Sequence, residues 1–195
     1  AQLGGGAVTE LLRLPLDHPR PPYPVFRSGN ISVELRGEVV QALRDLRAAE
    51  GVSLFTVLLA AFAVYMLRLS GQDDVVVGVP FVDRREPETR DLIGCFVNLL
   101  PVRVNLAGAA TCRGLLPRVQ AALRGAVAHH ELPFHILAEQ LAPHRQAAHP
   151  PVFQTSALLL HEHTAGVDLP GLKQEFHVLP AGGSTCDLNL HVELA

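Results

Sequence analysis

Histidine exchanges protons near neutral pH, and this chain sets three imidazoles within seven residues: His129-His130-Glu131-Leu132-Pro133-Phe134-His135. Such density suits proton transfer. Yet the run lies between two helical patterns, and Pro133 at the start of the second reads as the turn of a helix-to-helix corner with Phe134 buried beneath it. These imidazoles are therefore expected to be structural. His161-Glu162-His163 on a strand puts two imidazoles on one face, as metal ligation requires. A third ligand at useful spacing is missing, although Asp168 is nearby, so these read as surface or cleft histidines and no metal is expected. No Gly-x-Ser-x-Gly elbow occurs. Gly4-Gly5-Gly6 has neither a strand before it nor Lys-Ser after it, so it cradles no phosphate. Asn98 is different: a lone amide in an otherwise apolar run ending at Arg103 must find partners. It either contacts a ligand or caps a bulge, and the residues alone leave both open.

The elements that hold these groups follow from periodicity. Pro15-Leu16-Asp17-His18-Pro19-Arg20-Pro21-Pro22 forbids helix and central strand, giving an extended connector that ends near Arg27. Ile31 to Leu35 alternates apolar and polar residues and predicts a half-buried strand. Val39, Leu43 and Leu46 recur at helical spacing up to Gly51, and a fully buried helix is expected from Ser53, its N-cap, to Leu69. Val75 to Val79 is β-branched without polar alternation, a strand buried on both faces and closed by Pro80. A charged loop, Asp83 to Arg90, precedes a strand from Phe96 to Asn105, which Pro101 marks as an edge or bulge. Thr111 caps a helix to Ala128, and a short helix runs from Pro133 to Leu141. Val152–Leu160, Glu175–Leu179 and Asp187–Glu193 are predicted strands. Alternating strands and helices imply an α/β layer architecture.

Composition narrows the function classes. The 195 residues suffice for one sizeable core, and 48% hydrophobic residues with a net charge of -3 describe a globular, mildly acidic chain. Sixteen Lys+Arg against nineteen Asp+Glu, without a basic block, argue against nucleic acid, as do 5% aromatics and no Trp. Arg84, Arg85 and Arg90 leave room for a local patch that docks an acidic protein. Cys95, Cys112 and Cys186 form no CxxC pair and are expected as buried thiols in a reducing cytoplasm. Val52 to Leu67 carries no charge, but its length and ordinary helix-end flanks favour a core helix over a membrane span.

Several words then stand in order. Gly71-Gln72-Asp73-Asp74 forms a GQDD-type turn, and Ile93, Gly94, Phe96, Val97, Asn98 and Arg103 fit IGxFVNxxxxR. His129, Pro133 and Phe134 fit (H/Y)QDxPFE, with departures at His130, Glu131 and His135. Arg145, Pro151, Phe153 and Gln154 fit RDxSxNPLFQ, with Gln146, Ala148 and Pro150 replacing its Asp, Ser and Asn. Asp187-Leu188-Asn189-Leu190 fits FDLxL, with Cys186 in place of Phe. With the proline-rich connector, these words resemble the C-terminal half of the nonribosomal peptide synthetase condensation domain.

That resemblance implies an α/β fold, a chloramphenicol-acetyltransferase-like lobe with a mixed sheet packed with helices and incomplete at both ends. Residues 1–27 would be the connector between lobes and 28–195 the C-terminal lobe. Two such lobes form a V around a tunnel, into which carrier proteins insert phosphopantetheine arms from opposite ends. An acceptor amine there attacks a donor thioester to make an amide. The catalytic HHxxxDG histidine belongs to the N-terminal lobe, so this chain is expected to be an inactive fragment that binds no cofactor itself. Its implied partners are carrier proteins, the N-terminal lobe and an adenylation domain, with no nucleic acid and no membrane. Asn98 becomes a tunnel-lining candidate, Arg103 a structural partner for a carboxylate, and Asp187 a residue fixing the segment that bridges the lobes. The alternative is a non-catalytic docking module that recruits carrier or tailoring proteins. An acyl-CoA-dependent acyltransferase is disfavoured by the lack of a DFGWG-type word.

Overall fold

The computed structural model describes residues 11–84, 86–109, 111–141, 149–160, 171 and 182–194. Helices α1 (Glu38–Glu50) and α2 (Leu54–Ser70) lead into strand β1 (Asp74–Val82), followed by β2 (Val97–Asn105), α3 (Cys112–Val127), α4 (Phe134–Leu141), β3 (Thr155–Leu160) and β4 (Leu188–Glu193). The strands form one mixed sheet in the order β2-β1-β3-β4. β1 runs antiparallel to β2 and parallel to β3, and β3 runs parallel to β4.

The β-branched run makes the centre of this sheet. Val75, Val76, Val77, Gly78 and Val79 are all buried, as a strand covered on both faces requires. Val75, Val77 and Val79 turn to one face with Val102 and Val104, where they meet Leu59 and Met66 of α2 and Leu115 and Val119 of α3. Val76 turns to the other face, against Ala138 of α4, Val152 and Phe153. The strand does not close at Pro80 but continues to Val82. β3 pairs with β1 only at Val77 and Gly78, so Pro80 loses no ladder partner on that side. Pro101 is tolerated because β2 is the edge of the sheet.

Helix ends fall where the sequence marks them. Ser53 accepts from the Thr56 amide at 3.1 Å, and Thr111 accepts from that of Gly114 at 3.1 Å. Gly51 and Gly71 end α1 and α2 in the left-handed conformation, with φ of 62° and 71°. Three further expectations are overturned. α2 is not fully buried: Ala61, Tyr65 and Arg68 form an exposed stripe at helical spacing. Ile31 to Leu35 forms no strand, and Ile31 is 94% exposed, because alternation alone does not bring a segment to a sheet edge. Cys95 and Cys112 are exposed, one on a loop and one opening α3, and only Cys186 is partly buried. The expected strand Glu175–Leu179 lies outside the described residues.

No single helix among the described residues is long and apolar enough to cross a membrane; α1 and α2 pass such a test only as a pair bent by 108°. Those residues also hold no group of three His, Cys, Asp or Glu suited to a metal, and His161, His163 and Asp168 lie outside them.

Gly78 is fixed by its neighbour rather than by its own backbone. A Cβ there would stand 2.2 Å from Phe153 Cε2, deep inside contact distance. Gly78→Ala is expected to destabilise by about 1–3 kcal/mol through overpacking. Phe153→Leu should recover part of that loss in a double-mutant cycle read by urea unfolding, and independent costs would refute the contact.

Candidate functional site

The residues of the sequence words meet at chain crossings. At the first crossing, the extended connector lies against the start of β1 and β3. Its backbone is held by two side-chain amides that act as a short ladder. Gln154 accepts from the Leu12 amide at 2.5 Å and donates to the Leu12 carbonyl at 3.3 Å. Gln72 accepts from the Arg13 amide at 2.7 Å and donates to the Leu11 carbonyl at 3.3 Å. Further along, Arg20 meets Asp187 in a two-pronged ion pair at 2.9 and 2.6 Å, and Gln154 also donates to Asp187 at 2.9 Å. Asp187 therefore ties the connector to the start of β4. Gln72 was visible in the sequence only as a letter of the GQDD turn; nothing local signals its partner in the connector.

The same turn anchors β2. Arg103 forks onto Asp74 through Nε at 3.0 Å and Nη2 at 2.7 Å, and the Asp74 hydrogen bond raises the guanidinium pKa further. Arg103 is thus paired to a carboxylate of its own chain.

Asn98 stands where β2 passes the α3–α4 corner. Its Nδ2 donates to the carbonyls of His130 and Leu132 at 2.7 and 2.8 Å. Its Oδ1 accepts from the amides of Leu99 and Phe134, both at 3.0 Å. Both amide hydrogens and the oxygen are thus engaged by backbone, so the side chain staples strand to corner. His130 in that corner is buried, with Nε2 2.8 Å from Asp83 and Nδ1 3.0 Å from the Val127 carbonyl. Phe81 meets its ring edge-on. Both ring nitrogens are used in packing the corner, and His129 is exposed beside it. Phe134 is half-buried and lies 5.0 Å from Phe153, ring centre to ring centre.

Arg84 does not form an open basic patch. Its guanidinium donates to the carbonyls of Thr89, Leu92 and Gly94 and lies 4.3 Å over the Phe96 ring. The loop it gathers presents Leu92 and Ile93 to solvent. Arg85 and Arg145 lie outside the described residues.

A cleft of about 690 Å³ opens between the connector and the second face of the sheet. Leu99, Phe134 and Phe153 line it on one side, Tyr23 and Phe26 on the other, with His149 and Cys186 between. Burial, then the positive charge of Arg20, hold the His149 pKa below its ordinary 6.5. Burial pushes the Cys186 thiol up, which keeps it protonated. Sequence reasoning passed over His149, which stands at a variable position inside the RDxSxNPLFQ-like word.

Residues 6–164 match the family described as Condensation domain, and the chain belongs to that family. It is 38% identical to malpinin synthetase of Mortierella alpina over 84% of its own length and 2% of the synthetase. It is 40% identical to a chondramide synthase of Chondromyces crocatus over 83% of its length and 4% of that synthase. Among solved structures it overlays the X-domain from teicoplanin biosynthesis with a TM-score of 0.85 at 26% identity, covering 96% of this chain and 42% of that one. The same X-domain is also solved in complex with OxyB, where the TM-score is 0.82 at 27% identity over 96% of this chain and 40% of that one. The fold is the chloramphenicol-acetyltransferase-like one of condensation domains, and the chain spans a small part of the curated relatives it matches.

Asn98→Ala strands two carbonyls and two amides and is expected to cost roughly 2–3 kcal/mol of stability, with Asn98→Asp no better because it removes both donors. Thermal melts of both variants check this; wild-type stability in Asn98→Ala would mean the corner holds itself. His149 supplies a second expectation. Its pKa is lower folded than unfolded, so the unfolded chain binds the extra proton first as pH falls. Stability should therefore be full above 6.5 and decline below it, and His149→Phe should flatten that decline in urea titrations from neutral to mildly acidic pH.

Proposed function

We propose that this chain serves as the connector (1–27) and C-terminal lobe (28–195) of a condensation domain that forms amide bonds in nonribosomal peptide synthesis. The observation that carries the reading is the convergence of Gln72, Gln154 and Asp187 on the connector. Residues from three family words are spent on fixing the segment that leads into the lobe.

In the reaction, the acceptor nitrogen attacks the carbonyl carbon of the donor thioester. The C–N bond forms, the C–S bond breaks, and the amine proton ends on the departing thiol. A thioester is already activated, so alignment of two tethered substrates supplies much of the acceleration. The lobe contributes a rigid wall: Asn98 sets the α3–α4 corner, and Arg84 sets the loop beside it. The imidazole that handles the proton comes from an HHxxxDG word in the companion lobe. The donor and acceptor arrive on the phosphopantetheine arms of carrier proteins, with an adenylation domain as neighbour, in the cytoplasm.

A second reading is favoured by the overlay on the X-domain, a relative solved with OxyB bound. On it, the lobe belongs to a docking module that recruits a tailoring protein and makes no bond.

Reconstitution separates the two. The chain is mixed with a companion lobe carrying HHxxxDG and with loaded donor and acceptor carrier proteins, and the products are read by mass spectrometry. Amide product is expected only when both lobes are present. Product from this chain alone, or none from a correctly assembled pair, would overturn the condensation reading.

A further inference from the structure

Two parts of the chain are made to fit each other but do not meet within one molecule. The first is Ile31 to Leu35. It alternates apolar and polar residues, forms no strand, and leaves Ile31, Val33 and Leu35 at 94%, 77% and 52% exposed. Glu34 and Arg36, two residues apart, pair with each other, so these polar side chains share one side, as they do along a strand. The second is the outer edge of β4, where the described sheet ends. Its register with β3 is continuous from Leu188 to Glu193, with no bulge, proline or lysine to turn a partner away. Leu188, Leu190 and Val192 are only half-buried, the first two against the main core, while Asn189, His191 and Glu193 are exposed.

The side chains match in parallel register. Setting Ile31 beside Leu188 brings Val33 to Leu190 and Leu35 to Val192 on the apolar side. On the polar side Ser32 meets Asn189, Glu34 meets His191 and Arg36 meets Glu193. Acid then lies by imidazole, and guanidinium by carboxylate. The antiparallel alternative brings Arg36 to Asp187, which Arg20 already holds.

The route of the connector keeps the two parts of one chain apart. Arg20 meets Asp187, and six residues later the Phe26 carbonyl accepts from the Ser184 amide at 3.2 Å. As the connector advances, its partners recede from β4, so the chain leaves Phe26 directed away from the edge that Ile31 to Leu35 fits. A second copy meets no such constraint, and reciprocal exchange uses both edges in one closed two-fold dimer.

We propose that residues 31–36 of one copy add as a parallel strand to the β4 edge of a second copy, and the reverse. Strand addition takes its affinity from backbone hydrogen bonds and its register from alternate side chains. The proposal stands or falls apart from the condensation reading.

The test is sedimentation equilibrium of the chain over a range of concentrations, under reducing conditions so that the exposed Cys95 and Cys112 form no link between copies. A monomer–dimer equilibrium is expected, with hydrogen exchange slowing at residues 31–36 and in β4 as the dimer forms. Val33→Lys changes an exposed position, so the melt of the monomer should be unchanged while dimerisation weakens by about tenfold, since each dimer holds the contact twice. Arg36→Glu should weaken dimerisation by a similar factor by setting two carboxylates together, and adding Glu193→Arg should restore it to within about threefold of the unaltered chain. A monomer at every concentration, a dimer indifferent to Val33→Lys, unchanged exchange at residues 31–36, or no restoration by the second charge reversal would each overturn the proposal.

Discussion

A proline-rich segment cannot build its own ladder, so its backbone must be satisfied by something else. The residues that lead into this one are held by side-chain amides. Gln72 and Gln154 each present a C=O and an N–H side by side, the same pairing a neighbouring strand would offer. They grip Leu11, Leu12 and Arg13 at the point where β1 and β3 begin. Leu12 and Leu14 can then pack on the main core. Arg20 and Asp187 add a second tie from within the proline run, linking connector to β4. With the segment held, one wall of the cleft exists; without it, the second face of the sheet would lie open.

The second face depends on an absence. Gly78 has no Cβ, and Phe153 occupies that space in the middle of the sheet. The γ-turn at Val152 is what brings the ring there. Phe134 stacks behind it, and Asn98 fixes Phe134 by its backbone amide. Residues from three separate words, the strand of Asn98, the corner of Phe134 and the loop of Phe153, thus form one contiguous unit. A change at any of them is felt at the others through packing, since interiors at crystal-like density cannot absorb displaced volume.

What the sequence made legible is what local chemistry decides. The β-branched run could only be a doubly covered strand, Ser53 and Thr111 could only be caps, and Pro133 could only open a helix after a corner. Arg103 as a residue needing a carboxylate came with the family resemblance, and its fork onto Asp74 shows what local chemistry such a pairing uses. The failures have a common cause. Ile31 to Leu35 alternates as a strand should, but alternation states which face is apolar and not whether an edge exists to receive it. The buried-thiol expectation failed for Cys95 and Cys112 because burial is set by the surrounding elements, not by residue type alone. Gln154 meets Leu12 across 142 residues, and no window of sequence contains both. His149 carried no signal at all, since its isolation is a property of the space around it.

Five polar residues of the family words, Asn98, Gln72, Gln154, Arg103 and Asp187, share one trait: each is spent on the protein itself. The amide of Asn98 and those of Gln72 and Gln154 hold backbone, while Arg103 and Asp187 hold charges of their own chain. Groups so engaged are poor agents of proton transfer, because moving a proton or a ligand onto them would first break the bonds that keep the lobe in shape. Such residues act through placement. On the proposed reading this is where a wall would matter most, since a small misalignment of two tethered substrates lowers a rate more than the loss of one weak contact. The work these residues do is therefore geometric, and the words read in the sequence are the fastenings of a surface.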